Sequence, residues 1–204
     1  MSEENPDDAI KIILVGDSGT GKTNLITVAA GFDFNHESIT TTSCSYIQKT
    51  VTSKNGKEYK INLWDTIGQE KYRSLTKIFI KDSKIVIFVY DITNRASFES
   101  LKYWDKTIEE ILGQDPVFGI VGNKVDLYLQ EKVKQNEGEQ FAESIGAKFK
   151  LTSAKNDPKS ISDFIVELLE EYEIKNGIYT ERIDSVFLDK DKIKKENEKC
   201  CKNN

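Results

Sequence analysis

Gly16-Asp17-Ser18-Gly19-Thr20-Gly21-Lys22-Thr23 is the stretch on which the reading of the chain turns. Before it, residues 10–15 run Ile-Lys-Ile-Ile-Leu-Val, short, apolar and β-branched, as a buried strand does. After it, residues 22–30 contain neither Gly nor Pro and are compatible with a helix. The stretch itself has the spacing G-x-x-x-x-G-K-[ST]. Glycines there let the backbone turn so that successive N–H groups converge on a di- or triphosphate, and the helix behind adds its positive end. The Lys22 ammonium reaches the β- and γ-phosphates, and the Thr23 hydroxyl suits Mg²⁺. A glycine-rich turn with an incidental lysine is the alternative, and the strand and helix on either side argue against it. The motif does not name the nucleotide.

The 204 residues suit one domain with a tail. A net charge of −5 argues against nucleic acid binding through bulk electrostatics. The acidic start, Met-Ser-Glu-Glu-Asn-Pro-Asp-Asp, predicts no signal peptide, and no run approaches the ~18 apolar residues of a membrane span. Of the three cysteines, Cys200 and Cys201 are adjacent, a poor disulfide framework, and a reduced cytosolic setting is expected. His36, the single histidine, reads as part of a solvated loop.

Residues 32–45 are polar and Thr-rich and read as a long, functional loop. Residues 46–52 and 58–64 flank Lys54-Asn55-Gly56 as an antiparallel hairpin. A second loop at 65–70 leads into a charged helical piece ending near 81. Residues 85–90 form a continuous apolar strand. Residues 98–112 carry apolar side chains at helical spacing, 117–121 a strand, 137–145 a helix, 148–151 a strand and 162–172 an amphipathic helix. The alternation predicts a doubly wound α/β sheet, six-stranded and mostly parallel with one antiparallel strand, and helices on both faces. Ligands of such sheets bind beyond the carboxyl ends of the strands, where residues 16–23, 65–69, 123–126 and 152–155 should all gather.

Asn123-Lys124-Val125-Asp126 and Ser153-Ala154-Lys155 follow the fifth and sixth strands. Guanine offers N1–H and N2–H₂ on one edge, and a single carboxylate such as Asp126 can accept both. A backbone N–H near Ala154 can donate to O6, while the stems of Lys124 and Lys155 can cover the ring faces. With these motifs in order over residues 10–172, the chain resembles Ras-superfamily small GTPases. Residues 60–64 (Lys-Ile-Asn-Leu-Trp), 64–75 (Trp-Asp-Thr-Ile-Gly-Gln-Glu-Lys-Tyr-Arg-Ser-Leu), 90–93 (Tyr-Asp-Ile-Thr) and the terminal Cys-Cys resemble the Rab family of vesicle-traffic GTPases.

The resemblance implies that N–H groups of Ser18, Gly19, Thr20, Gly21, Lys22, Thr23 and Asn24 wrap the phosphates of GTP or GDP. It implies Mg²⁺ held by Thr23, by a threonine of the first switch and by Asp65 through water. Thr40, Thr41 and Thr42 compete for the switch position; 41 − 23 = 18 matches the family separation and selects Thr41. The same count puts Phe34 where the family's aromatic stacks on guanine. The Gly68 N–H would read the γ-phosphate, and Gln69 would orient the attacking water; outside the motif Gln69 would read as a surface glutamine. Slow hydrolysis is implied, with the missing transition-state cation supplied in trans by an activating protein.

Three places depart from the family pattern: Ile67 where the family has Ala, Thr42-Ser-Cys-Ser-Tyr46, and Phe79-Ile-Lys-Asp-Ser83. Tyr46, Trp64 and Phe79 still match the family's aromatic trio, so the nucleotide site is family-like while the partner-reading face diverges. Trp104, on the apolar stripe of its helix, reads as core. Residues 1–9 read as a flexible acidic N-terminus, 10–176 as the G domain and 177–204 as a flexible tail. Over residues 186–204 six lysines oppose four acids, a net of +2, too little for a polybasic anchor. By resemblance Cys200 and Cys201 would be geranylgeranylated, and two chains anchor stably where one does not. The implied partners are an activating protein, an exchange factor, a GDP-dissociation inhibitor or escort protein, effectors and a membrane surface, but no nucleic acid. A monomer is expected, cycling between cytosol and the cytosolic face of intracellular membranes. Two other readings are a GTP-binding interaction module with negligible hydrolysis and an ATP-dependent P-loop kinase.

Overall fold

The computed structural model describes residues 9–34, 45–66 and 78–178. Six strands form one sheet: β1 (Ile10–Val15), β2 (Ser45–Thr52), β3 (Glu58–Asp65), β4 (Ile85–Asp91), β5 (Val117–Asn123) and β6 (Lys148–Leu151), in the order β2-β3-β1-β4-β5-β6. Only β2 runs antiparallel, paired with β3 from Ser45↔Asp65 to Thr52↔Glu58. Gly56, at φ 79, closes that hairpin, donating its N–H to the Ser53 carbonyl at 2.9 Å.

Side chains alternate across each strand, so an apolar run fills two cores. Ile10, Ile12 and Leu14 of β1 enter one, with α1 (Lys22–Ala30) and the last helix, Lys159–Lys175, above them. Ile13 and Val15 enter the other, against α3 (Leu101–Leu112) and α4 (Gln135–Ser144). With α2 (Arg95–Glu99) between β4 and α3, the last helix is α5. Burying each such Ile or Leu contributes about 1.5–3 kcal/mol. The fold is the doubly wound sheet expected from the sequence.

The helix expected over 98–112 is two. Asn94 caps α2 through its side chain, and the elements change over at Ser100, whose hydroxyl turns to Asp17 instead of solvent. A 3₁₀ helix at Val125–Gln130 follows β5 where only the base motif was read. Far from the loops, buried Glu173 of α5 accepts from Ser53 Oγ (3.0 Å), Asn55 Nδ2 (2.7 Å) and Tyr59 Oη (2.8 Å), tying the hairpin to the final helix. No helix among the described residues is long and apolar enough to cross a membrane.

Candidate nucleotide site

β1 lies in the middle of the sheet, with β3 on one side and β4 on the other. The chain after β1 therefore emerges at the point where the winding reverses, the crevice in which such sheets bind ligands. Gly16 (φ 147) passes so close to the Val89 carbonyl that a Cβ would collide with it, and a Cβ on Gly21 (φ 97) would meet Asn123 Nδ2. Gly21 is also the N-cap of α1 and no side chain caps that end, which leaves the positive helix terminus to face an anion.

Lys22 folds back over the loop it follows, donating to the carbonyls of Gly16 and Asp17 at 2.8 Å each. Burial pulls its ammonium down to about 8, against the opposing pull of Asp65 and Asp17. A buried cation held by two backbone carbonyls is a receptor for phosphate charge. Ser18 and Gly19 are exposed at the loop tip, while Thr20 is buried with its hydroxyl on the Asp17 carbonyl at 3.0 Å.

The base end is assembled by β5 and β6, which pair in parallel as far as Gly122↔Leu151. Asn123 donates from Nδ2 to the Thr20 carbonyl at 2.9 Å and accepts from Thr152 Oγ1 at 3.2 Å, joining three loops through one buried amide. Ser153 Oγ donates to Asp126 Oδ1 at 2.6 Å and accepts the Asn156 N–H at 3.0 Å, which fixes the carboxylate's orientation. Ala154 is buried beside it and Lys155 is exposed. Phe34, half-buried, packs against the α1–α5 core.

A family model described as the Ras family matches residues 11–173, which span every loop described above. The chain belongs to the Ras family of small GTPases. It is 39% identical over 160 residues to the cattle Ras-related protein Rab-21, covering 78% of this chain and 71% of that one. Human Rab-21 is similar at the same identity, with 70% of its length covered. The yeast Ras-related protein SEC4 is 39% identical over 151 residues, 74% of this chain and 69% of SEC4. The protein is a Rab-type GTPase: it binds GTP and GDP with Mg²⁺, hydrolyses GTP and regulates vesicle traffic at membranes through regulators and effectors.

In this GTPase the donor set for Mg²⁺ is of the right kind. Thr23 Oγ1 and Asp65 Oδ2 stand 2.7 Å apart at the ends of α1 and β3, a hydroxyl and a buried carboxylate, both hard oxygens. No group of three His, Cys, Asp or Glu gathers among the described residues. One carboxylate supplemented by phosphate oxygens is the usual Mg²⁺ arrangement. Thr66 Oγ1 anchors the start of the second loop to the Leu14 carbonyl at 2.6 Å.

Two carboxylates of the GTPase went unread in the sequence. Asp17, inside the phosphate loop, accepts from Ser100 Oγ at 2.6 Å and from Trp104 Nε1 at 3.1 Å, so the supposed core tryptophan also anchors the loop. Asp91, at the end of β4, pairs with Lys124 at 2.8 Å. The signal for both was an acid beside a motif, which spacing rules alone do not separate from a solvated charge. Thr40, Thr41, Thr42, Ile67, Gly68, Gln69, Arg73, His36, Cys44, Cys200 and Cys201 lie outside the described residues.

Of the aromatic trio, Tyr46 and Trp64 stack with centroids 4.8 Å apart, and Phe79 sits 6.0 Å from Trp64. Lys11 Nζ lies 4.6 Å above the Trp64 ring. The three rings are linked through Trp64.

Proposed function

We propose that residues 10–176 act as a guanine-nucleotide clock in which N–H groups of residues 18–24 and the Lys22 ammonium hold the phosphates. Asp126 selects guanine, with Ser153 fixing its carboxylate, Ala154 N–H donating to O6, and Lys124, Lys155 and Phe34 enclosing the ring. The observation carrying this reading is the single hydrogen-bonded frame from Thr20 through Asn123 to Thr152, adjoining Ser153 and Asp126. It makes phosphate loop and base loop one rigid receptor.

Thr23, Thr41 and Asp65 would hold Mg²⁺, which neutralises phosphate charge when bound. Thr41 and the Gly68 N–H sense the γ-phosphate, and Gln69 orients the attacking water. Turnover is slow, on the order of 10⁻⁴ to 10⁻² per second, until an activating protein supplies a cation worth about 10³–10⁵-fold. An exchange factor resets the clock. Cys200 and Cys201 at the end of the 177–204 tail carry two prenyl groups, which a GDP-dissociation inhibitor or escort protein covers in the cytosol. The N-terminal residues 1–9 take no part in the site, and the switch works as a monomer.

Nucleotide released by denaturing the purified protein tests the base assignment: guanine nucleotide supports it and adenine nucleotide contradicts it. Intact mass after membrane extraction reads the prenyl groups: two support the anchor and none removes it.

A further inference from the structure

We propose that Asp91 is a positioning residue for the guanine base, acting through Lys124; the proposal rests on the role given above to the Lys124 stem. Asp91 and Asn123 are register partners at the ends of β4 and β5, so Lys124, the next residue, emerges directly beside Asp91. Lys124 takes the left-handed conformation, φ 67 and ψ 36, one of two non-glycine residues with positive φ among those described. L-residues enter that region only when surrounding contacts impose it. Backbone bonds hold it there, Val125 N–H to the Thr152 carbonyl at 3.2 Å and Leu127 N–H to the Lys124 carbonyl at 2.8 Å, so the base of the side chain is fixed. Its far end is held by an ion pair: Lys124 Nζ lies 2.8 Å from Asp91 Oδ2.

The Asp91 carboxylate is itself held. Its Oδ1 accepts from the Thr93 N–H at 2.8 Å and the Thr93 hydroxyl at 2.7 Å, and its side chain is 10% exposed against 33% for Lys124. An exposed lysine pair contributes little because both chains must be ordered to form it. Here one partner is already fixed, and pinning the ammonium extends the four-carbon stem between two anchored ends. A stem ordered before binding covers a purine face without losing rotamer freedom at the moment of contact. Asp91 touches no base in this role; it sets where the lysine lies.

The test is the dissociation rate of methylanthraniloyl-GDP from the Mg²⁺-loaded full-length protein in a double-mutant cycle. Asp91→Asn keeps the Thr93 acceptor and loses the ion pair. It should speed dissociation about tenfold in the wild-type background and less than about twofold in Lys124→Met. Equal acceleration in both backgrounds would mean that Asp91 acts independently of Lys124 and would overturn the proposal, as would an unchanged rate for Asp91→Asn alone. An unchanged rate for Lys124→Met would instead remove the role given to the lysine, and the proposal with it. If Asp91→Asn does not fold, Asp91→Glu carries the same cycle: an intermediate acceleration in wild type and none in Lys124→Met is expected, and equal effects overturn it.

Discussion

Trp104 Nε1 donates to Asp17 Oδ1 at 3.1 Å, so a tryptophan buried in the α3 core holds the second residue of the phosphate loop. Ser100 Oγ grips the other oxygen at 2.6 Å. The Asp17 carbonyl in turn receives Lys22 and Thr20, which makes the carboxylate a support for the cation that meets phosphate. Trp104→Phe keeps most of the ring volume and removes the N–H. GDP dissociation should quicken about tenfold or more, the worth of one hydrogen bond to a charged group, with Mg²⁺ present. An unchanged rate would make the bond incidental to the loop.

Lys22 makes binding pH-dependent. In the free protein its pKa is about 8, lowered from 10.5 by burial. Phosphate favours the ammonium, so the bound pKa is higher. Below about 8 both forms carry the proton and affinity is flat. Above it the free form loses the proton, binding must take one up, and affinity falls by up to about tenfold per pH unit. For folding the sign is opposite: between about 8 and 10.5 the unfolded chain holds more protons, so the nucleotide-free form gains stability as pH rises. Calorimetry of GDP binding in buffers of different ionisation enthalpy should show proton uptake rising from about a tenth at about pH 7 towards one at about pH 9. No uptake at the higher pH would contradict the assignment.

Asp126 is oriented by Ser153 at 2.6 Å, and a carboxylate is the group that accepts two N–H donors at once. Asp126→Asn replaces one acceptor by a donor. Guanine binding should weaken about 10²-fold or more, because a buried polar edge loses its match. Xanthine, which presents a carbonyl in place of the exocyclic amine, should gain relative affinity. Competition between GDP and XDP reads both effects, and unaltered preference would place base selection elsewhere.

Glu173 ties β2–β3 to α5 at the end of the sheet away from the loops. Glu173→Ala leaves the buried Ser53 and Tyr59 hydroxyls without their acceptor and should cost about 3 kcal/mol in thermal unfolding of the GDP complex. GDP dissociation should not change. Lys54→Ala breaks the ion pair to Glu170, in which the lysine is 64% exposed, and should cost less than about 0.5 kcal/mol.

The elements most legible in the sequence were those whose residues admit one physical reading. Residues 10–15 are too short and apolar for anything but a buried strand, and they are β1. Asn55-Gly56 demanded a turn with positive φ, and Gly56 has it. The loops at 16–23, 65–66, 123–126 and 152–155 meet at one sheet edge because every strand before them ends there. Less legible was anything set by tertiary contact. The apolar stripe over 98–112 hides the changeover at Ser100, which depends on Asp17, 83 residues away. Burial of the Trp104 ring was predictable from periodicity; the partner of its N–H was not. Asp91 and Lys124 likewise become neighbours only through the β4–β5 register.

Single-turnover hydrolysis of GTP, wild type against Gln69→Leu, reaches the central claim that this site is a slow clock. Phosphate release by the isolated wild type should proceed on the order of 10⁻⁴ to 10⁻² per second, and Gln69→Leu should retain GTP affinity while hydrolysing at least about tenfold more slowly. Hydrolysis at full catalytic speed without a partner, or an equal rate in Gln69→Leu, would contradict it.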